Sequence, residues 1–147
     1  MKTDKMSISI IKHLRDGRKS FKEIADSLKV SENTVRSRVS KLIEDGILDI
    51  SGLVNPDALP NHRVAIIGIK LSNVMMMKNI EAFSKLKGVV SVSIVTGRYD
   101  IIMIVMLKEG FELLDFYREE MSKMKNIQSV ETYVAYKSFN LKIPYLL

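Results

Sequence analysis

The chain has 147 residues, 46% of them hydrophobic, which supports one medium domain or two small ones with real cores. It lacks cysteine, which excludes disulfides and thiolate metal sites, and its longest apolar run, Ile101 to Leu107, is far too short to cross a bilayer. Net charge +6 and a pI of about 9.5 suit a nucleic-acid partner, but residues 1–55 and the remainder each carry +3, so local arrangement matters more than the total.

The lysines near the N-terminus precede no continuous apolar core, so a soluble cytoplasmic protein without a signal peptide is expected. Met6, Ile10, Ile11 and Leu14 predict a first helix capped by Thr3 or Asp4, with Ile8 less buried. Asp16-Gly17-Arg18 forms a turn. Ser20 then opens a second helix, with Glu23 three residues on as a reciprocal capping box. Phe21, Ile24, Ala25 and Leu28 make its apolar face.

Lys29-Val30 turns the chain into a third helix capped by Ser31 and ended by Gly46. Val35, Val39, Leu42 and Ile43 are expected on its inner side. Ser37 lies nearly opposite, with Asn33, Ser40 and Lys41 beside it and Thr34, Arg36 and Arg38 flanking. Two short helices, a tight turn and a small polar outer face have the form of a helix-turn-helix. Small polar side chains allow close approach to base edges. Asn33 can read adenine and Arg36 or Lys41 guanine, while basic flanks meet phosphates. The alternative is an ordinary amphipathic helix pair with a solvated face.

Ile47 to Val54 is a short β-favouring stretch broken by Gly52, and two prolines follow within residues 55–60. We therefore assign residues 1–50 to a three-helix, winged-helix-like DNA-binding domain, 51–60 to a linker with at most one helical turn, and 61–147 to a second domain. That domain reads as strands Val64–Leu71, Val89–Thr96, Ile101–Leu107 and Ile127–Lys137. Its helices are Met75–Leu86, lined by Met76, Ile80 and Phe83, and Phe111–Met124, lined by Phe111, Leu114, Met121 and Met124. This βαββαβ order is ferredoxin-like, giving an α+β chain. SKLKGVVSV at 84–92 and SKMKNIQSV at 122–130 match at five of nine positions, as two similar halves would.

The first and third strands are apolar on both faces and belong at the sheet centre; the other two alternate, as edge strands do. Both helices cover one face only. The other is expected to be buried between two copies of the chain; the alternative is a cover made by the linker and the tail from Phe139 to Leu147. A dimer would present two recognition helices to a pseudo-palindrome.

These residues resemble the Lrp/AsnC, or feast/famine, transcription regulators along nearly the whole chain. The resemblance is carried by DGRKSFKEIADSLKVSENTVRSRVSKLIEDGIL at 16–48, NPDAL at 55–59 and VTGRYDIIMIV at 95–105. It implies a ferredoxin-like sensing domain and dimers that associate into tetramers or octamers. It also implies amino acids or related metabolites as effectors, bound between dimers near Thr96, Gly97, Arg98, Tyr99 and Asp100. Gly97 lets the backbone turn, Asp100 suits an α-ammonium group and Arg98 a carboxylate. Structurally the same five residues also make an ordinary hairpin loop. The chain departs from the family pattern at Thr3 to Ser7, at Val134 and at Lys137-Ser138.

Two other functions compete. A chromatin-like architectural protein would use the same DNA face with little sequence preference. An enzyme resembling the sirohaem decarboxylases would need a proton donor, for which His62 beside Arg63 is the candidate and His13 is not. No nucleophile–base pair, metal-ligand cluster or phosphate-binding glycine loop is visible in the sequence, and no cofactor is expected.

Overall fold

Each of the first three helices starts at a residue whose side chain caps it. In the computed structural model, which describes residues 4–73 and 80–147, α1 spans Lys5–Leu14 and Asp4 Oδ1 accepts the Ser7 backbone N–H at 2.8 Å. Thr3, the alternative cap, lies outside the described residues. α2 is Phe21–Leu28, with the Ser20/Glu23 capping box formed in both directions. α3 is Glu32–Glu44, capped by Ser31, whose Oγ accepts the Thr34 N–H at 3.1 Å. Lys29 takes a left-handed conformation (φ 54°) to make the tight turn between α2 and α3, and Gly46 does the same (φ 66°) just past α3.

Ile10, Ile24, Ala25, Val35 and Val39 form the core of this unit, Met1–Ser51. Leu42 is buried as well, whereas Ile43, expected on the same side, is 46% exposed. At roughly 100° per residue Ile43 lies at the margin of the Val35–Val39–Leu42 stripe and turns outward. A polar tie joins α1 to α3: Arg38 Nη1 donates to Asp4 Oδ2 at 2.6 Å and to Ser7 Oγ at 3.1 Å.

The second unit, Gly52–Leu147, contains strands β1 (Leu53–Val54), β2 (Arg63–Leu71), β3 (Val89–Ile94), β4 (Ile101–Leu107), β5 (Ile127–Val134) and β6 (Ile143–Pro144). Helix α4 is described over Glu81–Ser84 and α5 over Leu113–Glu119. The start of the helix expected from Met75, with Met76, lies outside the described residues. The four longer strands order as β3-β4-β2-β5, all antiparallel. This is the ferredoxin-like arrangement, with the two strands apolar on both faces at the centre.

Edge strands end where their partners do. β3 stops at Ile94, which pairs with Ile101 at the start of β4. β5 stops at Val134, because Arg63 begins β2 only two residues before Ala65, the partner of Val134. Residues 84–92 and 122–130 also correspond in backbone. Gly88 (φ 78°) and Asn126 (φ 62°) occupy equivalent places and turn the chain into β3 and β5.

One sheet face packs under the helices: Ile67, Ile69, Ile101, Met103 and Val105 meet Phe83, Leu86, Phe111, Phe116 and Met121. Leu114 is 74% exposed, contrary to its expected place in this core. Phe111 instead forms a bridge to Lys108 and Glu112 precedes the helix, so the later start points Phe116 inward and Leu114 out.

The opposite face is not left wholly open. β1 pairs with β6, and Val54, Leu141 and Ile143 from these segments pack on Val64 and Met106. The stretch read as a linker thus contributes a strand and the turn Pro56–Ala58, and together with the tail covers one end of this face. Farther along, Ile66 is 39% and Tyr133 53% exposed.

Phe116 is fully buried and meets Phe111 edge-on at 6.3 Å between ring centroids. Phe116→Ala is expected to cost about 3–5 kcal/mol in denaturant unfolding of the second unit. The Asp4 carboxyl is held down at about 2, against an ordinary 3.8, by the Ser7 N–H and then by Arg38. A depressed carboxylate stabilises the folded state above its unfolded pKa, and that contribution fades as pH falls from about 4 to about 2. Amide signals of α1 should therefore lose protection across that window, and Asp4→Asn should flatten the dependence.

Candidate nucleic-acid interface and effector turn

α3 brings the expected recognition residues to one outer surface but does not treat them alike. Asn33, Ser37, Ser40 and Lys41 are exposed, and none of their side chains makes a hydrogen bond or ion pair among the described residues. These four form the small polar face that a groove requires. Thr34 is half-buried, with its Oγ1 2.8 Å from Ser31 Oγ, so it belongs to the helix cap.

The two arginines differ. Arg36 Nη2 donates to Glu32 at 2.7 Å one turn earlier, and its guanidinium lies 5.4 Å from the Phe21 ring centroid. An exposed i,i+4 pair of this kind is weak and can open toward a phosphate or a base. Arg38 points the other way, into the tie with Asp4 and Ser7. The sequence places Arg38 on the DNA flank; in the fold it also fastens α3 to α1, through partners that the spacing of α3 alone does not reveal.

The turn after β3 also divides. Thr96, Gly97 and Arg98 are exposed, and Gly97 has φ 132°, which few other residues adopt without strain. Asp100 is buried (7% exposed), with both carboxylate oxygens engaged: Oδ1 accepts from Lys70 Nζ at 2.8 Å and Oδ2 from the Leu71 N–H at 2.8 Å. Lys70 and then that N–H hold the Asp100 carboxyl below the usual carboxylate range. The ammonium partner expected from an effector is thus supplied by the chain itself. Asp100 pins the turn to the irregularity between Lys70 and Leu71 in β2.

Tyr99 lies over Gly68 so closely that a Cβ there would come within 2.7 Å of the ring. Its hydroxyl donates to Glu131, which also accepts from Arg98 and, at 2.6 Å, from Tyr133. Hydrogen bonding to this carboxylate raises the Tyr99 pKa; the hydroxyls of Tyr133 and then Tyr99 lower that of Glu131. Sequence reasoning missed Glu131, Lys70 and Gly68. Period-two alternation places Gly68 and Glu131 on one sheet face, but only strand order makes them neighbours.

The two histidines are occupied locally. His62 Nδ1 is 2.7 Å from the Pro60 carbonyl and its ring stacks obliquely near Tyr145, at 5.7 Å; His13 Nδ1 is 2.9 Å from Lys19 Nζ. Among the described residues no helix is long and apolar enough to cross a membrane.

Comparison with known proteins gives this arrangement its context. Residues 64–142 match the Lrp/AsnC ligand binding domain, and residues 3–49 match a winged helix-turn-helix DNA-binding domain. An HTH-type transcriptional regulator of Pyrococcus abyssi is 37% identical over 131 residues, 88% of this chain and 83% of that protein. The HTH-type transcriptional regulator Ptr1 of Methanocaldococcus jannaschii is 30% identical over 138 residues, 92% of this chain and 93% of its own length. The solved structure of Escherichia coli AsnC superposes with a TM-score of 0.69 at 26% identity, covering 92% of this chain and 93% of that one. With a helix-turn-helix at its start and a ligand-binding domain of ferredoxin-like fold after it, the chain belongs to the Lrp/AsnC family of DNA-binding transcriptional regulators.

Proposed function

We propose that this regulator binds a specific operator as a dimer through Asn33, Arg36, Ser37, Ser40 and Lys41. The polar face of α3 carries the reading: four small or basic side chains are held outward, with no partner among the described residues. Asn33 and Lys41 have the chemistry for adenine and guanine edges, and Arg36 can leave Glu32 for a phosphate or a guanine.

Pairing of two copies is supported by the exposed part of the open sheet face, where Ile66 and Tyr133 sit beside half-buried Ile102 and Ile104. An effector of amino-acid type is assigned to the exposed residues Thr96, Gly97 and Arg98, with Tyr99 and Asp100 shaping the turn from within. Its binding would alter how dimers associate and so the spacing of their DNA-binding heads.

Selection of bound fragments from random DNA, with and without a panel of amino acids, tests this function directly. A consensus site should emerge; uniform affinity for all fragments at fixed salt would instead favour architectural binding. At the selected site Asn33→Ala should cost about 1–3 kcal/mol and relax the preference at one position. Arg38→Ala should lower the thermal stability of the first unit and weaken all sequences alike. Sedimentation should show a dimer or larger species at micromolar concentration, and Ile66→Glu should dissociate it.

A further inference from the structure

The recognition helix begins with an acidic residue that binding to DNA does not call for. Glu32 is the first residue of α3, in the segment that enters a groove, where a carboxylate meets repulsion from every nearby phosphate. The helix start does not depend on it, because Ser31 already accepts the Thr34 N–H at 3.1 Å. What Glu32 holds is Arg36. Its Oε1 accepts from Arg36 Nη2 at 2.7 Å across one turn, and both side chains remain open to DNA, at 59% exposure for Arg36 and 44% for Glu32.

A second contact comes from another helix. The guanidinium carbon of Arg36 lies 5.4 Å from the centroid of the Phe21 ring, at the start of α2. That ring is half-buried and packs against the core of the first unit, so it does not drift with the surface. Phe21 and Glu32 together fix the orientation of a side chain that would otherwise sample many rotamers.

Pairing cancels the charge of Arg36 without using up its donors: Nη2 carries a second hydrogen, and Nη1 and Nε keep theirs. The two kinds of DNA contact respond differently. A phosphate is drawn by net charge, and Glu32 repels at close range any phosphate that Arg36 attracts. A guanine edge is neutral and is read by two parallel N–H donors on O6 and N7. It loses little when the charge is cancelled, and it gains from a fork that is already oriented. Exclusion of water in the groove strengthens the pair further. We infer that Glu32 is a positioning residue that sets specificity: paired with Arg36, it turns a cation that would hold any phosphate into an oriented fork that holds guanine. This rests on the reading that Arg36 meets a guanine edge, and adds that it does so without leaving Glu32, whereas a phosphate contact breaks the pair. Affinity for random duplex is given up in exchange for discrimination.

The test is fluorescence anisotropy of the full chain with labelled duplexes at several salt concentrations. The duplexes are the selected operator, the operator altered at single base pairs, and random sequence of the same length. The proteins are the natural sequence, Glu32→Ala, Glu32→Gln, Arg36→Ala and the double variant Glu32→Ala/Arg36→Ala. Results are compared as ratios of operator to random affinity, which a partly unfolded fraction leaves unchanged. Glu32→Ala should bind random duplex about threefold tighter, with a steeper salt dependence. It should lose about fivefold in the ratio, at the same base pair that Arg36→Ala relaxes. Glu32→Gln, which keeps the acceptor and drops the charge, should match Glu32→Ala on random duplex but retain more of the preference at that base pair. In the Arg36→Ala background, Glu32→Ala should leave the base preferences unchanged. Glu32 loses this role if Glu32→Ala leaves the ratio unchanged, or relaxes a different base pair. It loses it equally if Glu32→Ala shifts a base preference in the Arg36→Ala background, since Glu32 would then read a base itself. If Arg36→Ala keeps every base preference, the guanine reading of Arg36 is what fails, and the role of Glu32 goes with it.

Discussion

A four-stranded sheet whose two central strands are apolar on both faces must be covered twice. That constraint organises the C-terminal unit. Helices α4 and α5 with the Met121–Lys123 turn seal one face, burying Ile67, Ile69, Ile101, Met103 and Val105. The other face is closed only at its ends. The β1–β6 ribbon sits over Val64 and Met106, and Tyr99 lies on Gly68. Between these two caps remains a strip containing Ile66 and Tyr133, too apolar to be indifferent to water and too small for a helix of this chain. The same strip holds Glu131, which gathers Arg98, Tyr99 and Tyr133 around one carboxylate. The turn proposed to bind an effector is therefore mechanically continuous with the surface on which copies would meet.

The N-terminal unit solves a different problem. A helix that is to enter a groove must be rigidly mounted yet leave its outer side uncommitted. Val35, Val39 and Leu42 provide the mount, and the Ser31 cap with Thr34 fixes where the helix begins. Arg38 adds a charged strut to Asp4 and Ser7, so the first helix is held by the third. Rigid mounting of this kind places Asn33, Ser37 and Lys41 with little entropy left to lose on binding.

Much of this was legible in the residues. Capping boxes, the helical spacing of Ile24 and Val35, and the double-sided apolarity of β2 and β4 are local patterns, and local patterns survive into the fold. What was not legible depends on partners distant in sequence. Asp100 is at home in a ligand site by chemistry, but Lys70, thirty residues earlier, meets it first. Arg38 belongs by position to the DNA flank, but Asp4 claims it across thirty-four residues. Leu114 fits a helical stripe drawn from Phe111, and fails because the helix starts later, at Leu113. The ribbon over the open face was hardest of all. It joins Leu53–Val54 to Ile143–Pro144, two dipeptides too short to announce themselves as strands.

The acidic partners of the recognition-helix arginines have a consequence for how tightly one head can hold DNA. Of the three basic residues on α3, Arg36 is paired with Glu32 and Arg38 with Asp4, and Lys41 has no ion-pair partner among the described residues. Any phosphate contact by Arg36 must first open its pair with Glu32, which lessens what that contact adds to DNA affinity. In the dimer proposed above, a second tethered head would raise the effective concentration of the first. Heads joined in that way would release together once their spacing is disturbed, so the pairing of copies would set how long the site stays occupied.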